Sequence, residues 1–276
     1  MTKPSHRTWY RVALARPGAP QLVAASGEHM GQAIAEARDH LRGSWPIAVE
    51  HAAAEQIPLG ESVGKGHVLM LGEAPPNLPT FRWPTGVLPA LTAASAFAGA
   101  GRGWLVRDDD KLLVIEAQTD DEHLTDLFLG LIERLPAADN LEVRIQDHFE
   151  DAATSDVWLT SRVNARKILR FLDDHDVELL GNGHLELSVY VREHKATLRL
   201  TEHKTIVWLA EEHALESDVM RWLGELAVPR VDKLVTVRDG SHFHYRPLAS
   251  RDRKKLSDEL YRQRLRKVAT VPRATA

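Results

Sequence analysis

Two stretches of this sequence carry the same short pattern. Val143–Phe149 and Val237–Phe243 each begin with Val-Arg and end with His-Phe, with three residues between the two pairs. Apolar positions upstream of both stretches also match, so that the whole correspondence runs at offsets of 91 to 94 residues. Because self-similarity at a nearly constant offset indicates one structural unit used twice, this pattern constrains the fold more than any other feature.

The first predicted copy spans residues 85–151. An Ala-rich helix over Gly86–Gly101 precedes a hairpin over Gly103–Ala117, where two apolar runs flank the turn residues Arg-Asp-Asp-Asp. Asp121–Leu135 places its apolar residues at helical spacing, which predicts an amphipathic helix. Asn140–Ile145 alternates apolar and charged residues, which predicts a half-buried strand.

The second predicted copy spans residues 157–246 and repeats this order with one extra strand. We predict a helix, three strands, a helix and a closing strand over Asn164–Leu180, Gly181–Glu193, Ala196–Glu202, Lys204–Glu212, Ala214–Val228 and Lys233–Asp239. Since an amphipathic helix laid across an antiparallel sheet buries the apolar face of both, each copy is expected to form an α+β unit.

The flanking regions complete the predicted organisation. Residues 1–75 contain several strand patterns around a helix over Glu28–Leu41, which predicts a small strand–helix–strand segment. Pro75–Gly86 contains four prolines, which stop helices and cannot donate to a sheet, so it is interpreted as a linker. The predicted class is therefore α+β, with an N-terminal segment at 1–75, two tandem copies of a helix–antiparallel strands–helix–strand unit, and a basic helical tail at 251–276.

The formal net charge of −4 is distributed unevenly along the chain. Residues 251–276 contain nine Lys or Arg and three acidic residues, so the rest of the chain carries a charge of −10. An acidic body with a basic tail predicts contacts between oppositely charged surfaces. The basic residues that we predict to contact a partner are Arg253, Lys254, Lys255, Arg262, Arg264, Arg266 and Lys267.

The basic tail allows three interpretations. The tail could dock on an acidic body, either its own or that of a second copy, and docking on its own acidic surface is favoured because it needs no further partner. Nucleic-acid phosphates would bind the tail with an affinity that falls steeply with salt. An anionic membrane surface is the third alternative. Base-stacking aromatic residues are not interleaved with the basic ones, which weakens the case for single-stranded nucleic acid.

Three histidines are further candidate site residues. His148 and His242 occupy equivalent positions in the two predicted copies, and a strand would project His242 and His244 from the same face, as a His-x-His metal pair requires. The first copy has Glu150 where the second has His244, so the pair is not duplicated. We therefore favour a scaffold role and predict no metal. The acidic and histidine cluster at Thr201–Lys204 is interpreted as a solvated turn.

Several function classes lose support from what the sequence lacks. The chain has no cysteine, which excludes thiolate ligands, disulfides and cysteine nucleophiles. Its glycine clusters precede predicted strands, whereas nucleotide-binding loops precede helices, so no cofactor is predicted. The longest apolar stretch, Gly86–Gly101, is too short to span a bilayer, and no signal peptide is recognisable at the N-terminus. We expect a cytoplasmic protein.

These observations predict a non-enzymatic protein-binding or adaptor protein whose partner is another protein or a second copy of itself. An immunity-type inhibitor would fit, because an acidic surface is attracted to the basic cleft of a nuclease. The alternatives are a nucleic-acid-associated protein that uses the basic tail and a metal-dependent hydrolase centred on His242 and His244.

Overall fold

The chain folds into two compact units. The computed structural model describes residues 7–53, 56–57, 68–109 and 112–273. Unit 1 comprises Met1–Ala100 and Val235–Leu248, and unit 2 comprises Gly101–Leu234 and Ala249–Ala276. Both combine helical segments with antiparallel sheet, so the predicted α+β class is confirmed. Parts of the predicted N-terminal segment (1–6, 54–55 and 58–67), the tip of the predicted hairpin (110–111) and the end of the predicted tail (274–276) lie outside the described residues.

Unit 1 is built on a four-stranded antiparallel sheet. Its strands are β1 (Thr8–Ala15), β2 (Gln21–Gly27), β3 (Trp45–His51) and β4 (Val68–Glu73), in the order β3-β1-β2-β4. Helix α1 (Met30–His40) buries Met30, Ala33, Ile34 and Ala37 against this sheet, as their helical spacing predicts. A separate two-stranded ribbon joins β5 (Val87–Pro89) to β13 (His242–His244).

Unit 2 is built on one antiparallel sheet of eight strands. The strands are β6 (Gly103–Asp109), β7 (Leu112–Gln118), β8 (Asn140–Ile145), β9 (Thr154–Leu159), β10 (Leu185–Val191), β11 (Ala196–Leu200), β12 (Ile206–Ala210) and β14 (Arg266–Pro272). Their order is β14-β9-β8-β10-β11-β12-β7-β6. The helices are α2 (Leu124–Arg134), α3 (Ala165–Asp173), α4 (Asp176–Leu179), α5 (Glu216–Glu225) and α6 (Arg253–Arg262).

The core of unit 2 follows the predicted periodicities. Helix α2 buries its stripe of apolar side chains, Leu124, Leu127, Phe128, Leu131 and Ile132. In β8, Leu141, Val143 and Ile145 are fully buried, as predicted. Of the two intervening charged residues, Arg144 is only partly covered, whereas Glu142 is buried at 8% exposure, so the predicted alternation holds for one of them. One face of the sheet and the apolar stripes of the helices therefore share a single core, which gains about 25 cal/mol for each Å² of apolar surface removed from water.

The strands of the two predicted copies are interleaved in this sheet. Strand β7 pairs with β12, and β8 pairs with β10, so the β10–β11–β12 meander of the second copy lies between strands of the first. An isolated hairpin leaves the outer edges of both its strands unpaired. Pairing between strands of different copies gives β7 and β8 each a partner on an edge that would otherwise be open. The predicted boundaries at 85–151 and 157–246 consequently differ from those of the two units, and the ancestral duplication stays a prediction.

The two Val-Arg stretches adopt different backbone structures. Val143 and Arg144 lie in β8 of unit 2, whereas Val237–Asp239 is a 3₁₀ turn in unit 1, so the predicted closing strand over Lys233–Asp239 is wrong. The cause is a capping box, in which the Thr236 side chain accepts a backbone hydrogen bond and the Asp239 carboxylate accepts one from Thr236 N at 2.6 Å. Local polar contacts there replace a sheet ladder.

Two other element predictions need correction. The predicted Ala-rich helix over Gly86–Gly101 is instead β5 followed by a 3₁₀ helix over Leu91–Phe97, because Pro89 disfavours helical backbone in the residue before it. The predicted helical tail is α6 followed by β14. A left-handed residue, Arg264 (φ 66°), follows the helix, and β-branched residues then favour a strand.

Candidate binding site

The basic C-terminal segment is an integral part of unit 2. Leu256, Leu260 and Leu265 are each only 1% exposed and belong to the same core as α2. The segment also supplies β14, which pairs with β9 along its whole length. These contacts agree with the favoured interpretation, in which the segment docks on its own acidic body.

Asp156 on β9 is an electrostatic anchor of this docking. It accepts from Arg253 Nη2 at 3.2 Å and pairs with Lys267 Nζ at 2.7 Å, and Thr270 Oγ1 donates to it at 3.2 Å. Burial raises the pKa of Asp156, but the hydrogen bonds and charges of Lys267 and Arg253 outweigh it and hold the pKa below its ordinary value. The predicted site residues Arg253 and Lys267 are therefore structural ion-pair partners.

The other predicted basic residues lie on the surface. Arg262 pairs with Glu259 at 2.8 Å, and Lys255 pairs with Asp252 at 3.1 Å, both within the segment itself. The remaining three, Lys254, Arg264 and Arg266, are exposed and form no ion pair with any residue that the structure describes. Arg266 is the first residue of β14 and Arg264 lies two residues before it, so the uncompensated positive charge concentrates at the start of this strand.

The outer side of β14 is open. Arg273 N donates to the carbonyl oxygen of Ala153 at 2.9 Å, which fixes the inward-facing peptide groups of the strand. Since alternate peptide groups point in opposite directions, the N–H and C=O of Thr270 point away from β9. Pro272 occupies the next outward position, where its missing N–H removes no bond to β9. Among the described residues, no strand pairs with this edge.

The opposite edge of the same sheet is capped near the start of β6. Trp104 in β6 donates from its backbone N to the carbonyl oxygen of Pro229 at 2.9 Å, and Val231 N donates back to the Trp104 carbonyl at 2.9 Å. An exposed edge is a template for pairing with another chain, and proteins commonly cover such edges. The eight-stranded sheet therefore has one capped edge and one open edge.

Apolar side chains accompany the open edge. Val268 is 56% exposed, Val271 is 48% exposed, and Tyr261 at the end of α6 is 63% exposed. All seven residues of β14 are exposed. Large apolar side chains that remain this accessible on and beside an open sheet edge are available to contact a partner.

His148 lies in a polar cluster at one end of the sheet, close to the turn between β11 and β12. Its Nε2 is 4.0 Å from Glu202 Oε2, and its ring centroid is 5.0 Å from that of His184. Burial lowers the pKa of His148. Burial and the nearby Glu186 carboxylate raise the pKa of Glu202 to about 7.

The predicted solvated turn at Thr201–Lys204 is wrong for its last residue. Lys204 is fully buried, and its Nζ donates to the carbonyl oxygen of Asn182 at 2.6 Å. Burial lowers the pKa of Lys204 to about 7. Hydrogen bonds between Thr201 and Thr205 close the turn, and in this turn the Lys204 side chain lies in the interior. The amine therefore ties this turn to the segment before β10.

His242 and His244 lie side by side in β13, as the strand prediction requires. Their Nε2 atoms are 3.2 Å apart, and His242 Nδ1 is 2.8 Å from the carbonyl oxygen of Gly240. A carbonyl only accepts, so Nδ1 of His242 carries the proton and its Nε2 accepts from His244 in the neutral pair. The two rings therefore lie within hydrogen-bonding distance of each other.

Comparison with known proteins identifies no relative. No protein-family model, no curated protein and no solved structure matches this chain. Separately, none of the helices formed by the described residues combines the length and the apolar composition needed to cross a bilayer.

Sequence reasoning missed the open edge, which is the feature of the C-terminal segment best suited to binding. The helical spacing of leucines in α6 extended the predicted helix too far. The signal for β14 was present in Val268, Thr270 and Val271, three β-branched residues followed by a proline.

Proposed function

We propose that this chain is a non-enzymatic protein-binding protein that takes an extended, acidic segment of another protein onto the open edge of β14. The observation that carries the proposal is the exposure of every residue in β14, on a strand that is firmly held by β9 and by the buried leucines of α6. Adding a strand to a preformed edge supplies main-chain hydrogen bonds without reorganising the sheet.

The backbone geometry supports strand addition. The outward N–H and C=O groups of Thr270 can each bond to an incoming strand, and Val268 and Val271 offer apolar surface beside them. Pro272 cannot donate, so pairing would end there. The accessible edge is consequently short, which favours a short extended segment over a long strand.

Charge selects the partner. Arg264 and Arg266 are exposed and uncompensated among the described residues, so a segment with aspartate or glutamate would be attracted to this edge. A second copy of β14 added in parallel register would place Arg266 beside Arg266, which disfavours that arrangement. Nucleic acid is a weaker candidate, because Arg253, Lys267 and Arg262 already contact carboxylates of unit 2.

The test compares two short synthetic peptides that alternate valine with glutamate or valine with lysine. We expect the full chain to bind the glutamate peptide and not the lysine peptide, as measured by fluorescence anisotropy. Thr270→Pro removes the outward N–H and should weaken binding about tenfold, whereas Thr270→Ala retains the peptide group and should leave affinity nearly unchanged.

A second pair of variants tests the charge. Arg266→Glu should lower the affinity for the glutamate peptide. Lys254→Glu makes the same charge change on α6 and should leave that affinity nearly unchanged. Equal binding of both peptides, or equal affinities for the Thr270→Pro and Thr270→Ala variants at unchanged circular dichroism, would refute strand addition at β14.

A further inference from the structure

Strand β13 places two histidine side chains on one face of the short ribbon in unit 1. His242 and His244 are two residues apart, so their side chains leave the strand on the same side. Their Nε2 atoms are 3.2 Å apart. Both residues are half-buried, so they keep some contact with solvent. The pair therefore brings two imidazole nitrogens close to one point that solvent can reach.

The ribbon holds the backbone of both histidines in place. β13 pairs with β5, whose Val87 and Leu88 are fully buried. Just past the strand, Tyr245 N donates to the carbonyl oxygen of Gly86 at 2.8 Å. Because packing and main-chain hydrogen bonds position the two histidines, a ligand that needs both of them would meet a preformed pair.

A backbone carbonyl fixes the tautomer of His242. Its Nδ1 is 2.8 Å from the carbonyl oxygen of Gly240, which only accepts, so Nδ1 carries the proton and Nε2 keeps a lone pair. Gly240 lies close to the 3₁₀ helix before β6, since a Cβ at this position would be 2.8 Å from the Phe97 ring. Histidines that bind metal ions almost always donate their second ring N–H to such a group. His242 therefore already has the hydrogen bond that orients a metal ligand.

The separation of the two nitrogens suits a single metal ion. Zinc binds imidazole nitrogen at about 2.0–2.1 Å, and for nitrogens 3.2 Å apart the two bonds would meet at about 100°, close to the tetrahedral angle. Imidazole suits zinc, copper and nickel, whereas magnesium and calcium prefer oxygen ligands. The chemistry and the spacing of the pair thus favour a late first-row transition-metal ion.

The lack of a second such pair in the first predicted copy does not argue against a metal site. Glu150, at the matching sequence position, lies in a 3₁₀ turn with a φ of 57°, whereas His244 lies in a strand. The two positions therefore differ in backbone structure, and a ligand at one of them gives no reason to expect a ligand at the other.

We propose that His242 and His244 bind a late first-row divalent metal ion, such as Zn²⁺, through their Nε2 atoms, with water in the remaining positions. The ion takes the place of the proton between the two rings, and that proton moves to Nδ1 of His244, so both ligands stay neutral as metal binding requires. Both histidines belong to unit 1, and neither takes part in the open edge of β14 in unit 2. Loss of one site would therefore leave the other intact.

The first experiment measures the binding of Zn²⁺ to the metal-free full chain by isothermal titration calorimetry. We expect saturable binding of Zn²⁺ and none of Mg²⁺. His242→Gln and His244→Gln should each weaken Zn²⁺ binding by at least about tenfold, because even outer-shell partners of a bound metal commonly contribute that much. His40→Gln is the matched control, because His40 is an exposed histidine of the same unit, in the last turn of α1. This variant should bind Zn²⁺ as the unaltered chain does.

Hydrogen exchange measured by mass spectrometry then locates the bound ion. Zn²⁺ should slow amide exchange in β13 and β5 of the unaltered chain, since a ligand that binds only the folded ribbon stabilises it, and should not do so in His244→Gln. Circular dichroism should show that all variants fold. Absence of saturable Zn²⁺ binding, an equal loss of affinity in His40→Gln and His242→Gln, or slower exchange only outside the ribbon would overturn the proposal.

Discussion

Lys204 donates a 2.6 Å hydrogen bond from Nζ to the backbone carbonyl oxygen of Asn182, and both residues are fully buried. The bond links the β11–β12 turn to the segment that leads into β10. Because burial disfavours the charged amine, the pKa of Lys204 falls from 10.5 to about 7. This buried lysine and its neighbour Glu202 should make the stability of unit 2 depend on pH in opposite senses.

Lys204 gives the first prediction. Between about pH 7 and 10.5 the unfolded chain binds a proton that the folded chain does not, so this group makes stability rise with pH in that window. Lys204→Met keeps most of the buried volume and removes the titration. We expect the difference in unfolding free energy between the two proteins to change progressively from pH 7 to 10, as measured by urea unfolding. A constant difference across that range would contradict the buried-amine assignment.

Glu202 gives the second prediction, with the opposite sign. Its pKa is raised from 4.5 to about 7 by burial and by Glu186, so the folded chain binds the extra proton between these pH values. The group therefore makes stability fall as pH rises from 4.5 to 7. Glu202→Gln should abolish that contribution and stabilise the protein more at pH 7 than at pH 5. Equal effects of the substitution at both pH values would show that the carboxyl titrates normally.

The Lys204 turn also shows where sequence analysis stops. Thr201–Lys204 has the composition of an exposed turn, and no periodicity marks one of its residues as buried. Alternation within β8 and the stripe of α2 did predict which apolar side chains enter the core. A buried polar residue depends on a partner from elsewhere in the chain, which for Lys204 is the carbonyl oxygen of Asn182, 22 residues away. The local sequence pattern around Lys204 does not indicate that partner.

The order of strands in the sheet could not be predicted from the sequence for a related reason. Alternation shows which face of a strand is buried, but β7 could satisfy its apolar face beside many antiparallel partners, and its actual neighbour is β12. The two units likewise each combine distant parts of the chain. Arg38 and Arg82 both line one cleft of unit 1 for the same reason, since only the folded unit brings these distant parts of the chain together.

Asp156 gives the third prediction. Its carboxylate is 11% exposed and holds Arg253, which is 13% exposed. Asp156→Asn leaves that guanidinium largely buried without its charge partner and should cost about 3 kcal/mol at pH 7. Because the folded pKa of Asp156 lies below its ordinary value of 3.8, the stabilisation is present above that pH and disappears as the pH falls below it.

Asp258→Asn is the control for this substitution, because Asp258 is exposed on α6. It should change the unfolding free energy by no more than about 0.5 kcal/mol. A similar small effect of Asp156→Asn in urea unfolding would mean that the ion pair with Arg253 does not anchor the C-terminal segment.

The two His-Phe pairs give the last prediction. Phe149 is 1% exposed in the core of unit 2, and its ring stacks on His184 with centroids 4.7 Å apart, whereas Phe243 is only partly buried in unit 1. Phe149→Ala should therefore cost about 4 kcal/mol, and Phe243→Ala less than about 2 kcal/mol. Hydrogen exchange measured by mass spectrometry should show faster exchange in β8 for the first variant and in β5 for the second. Equal losses of stability, with faster exchange in the same strands, would indicate that the two motifs occupy equivalent positions after all.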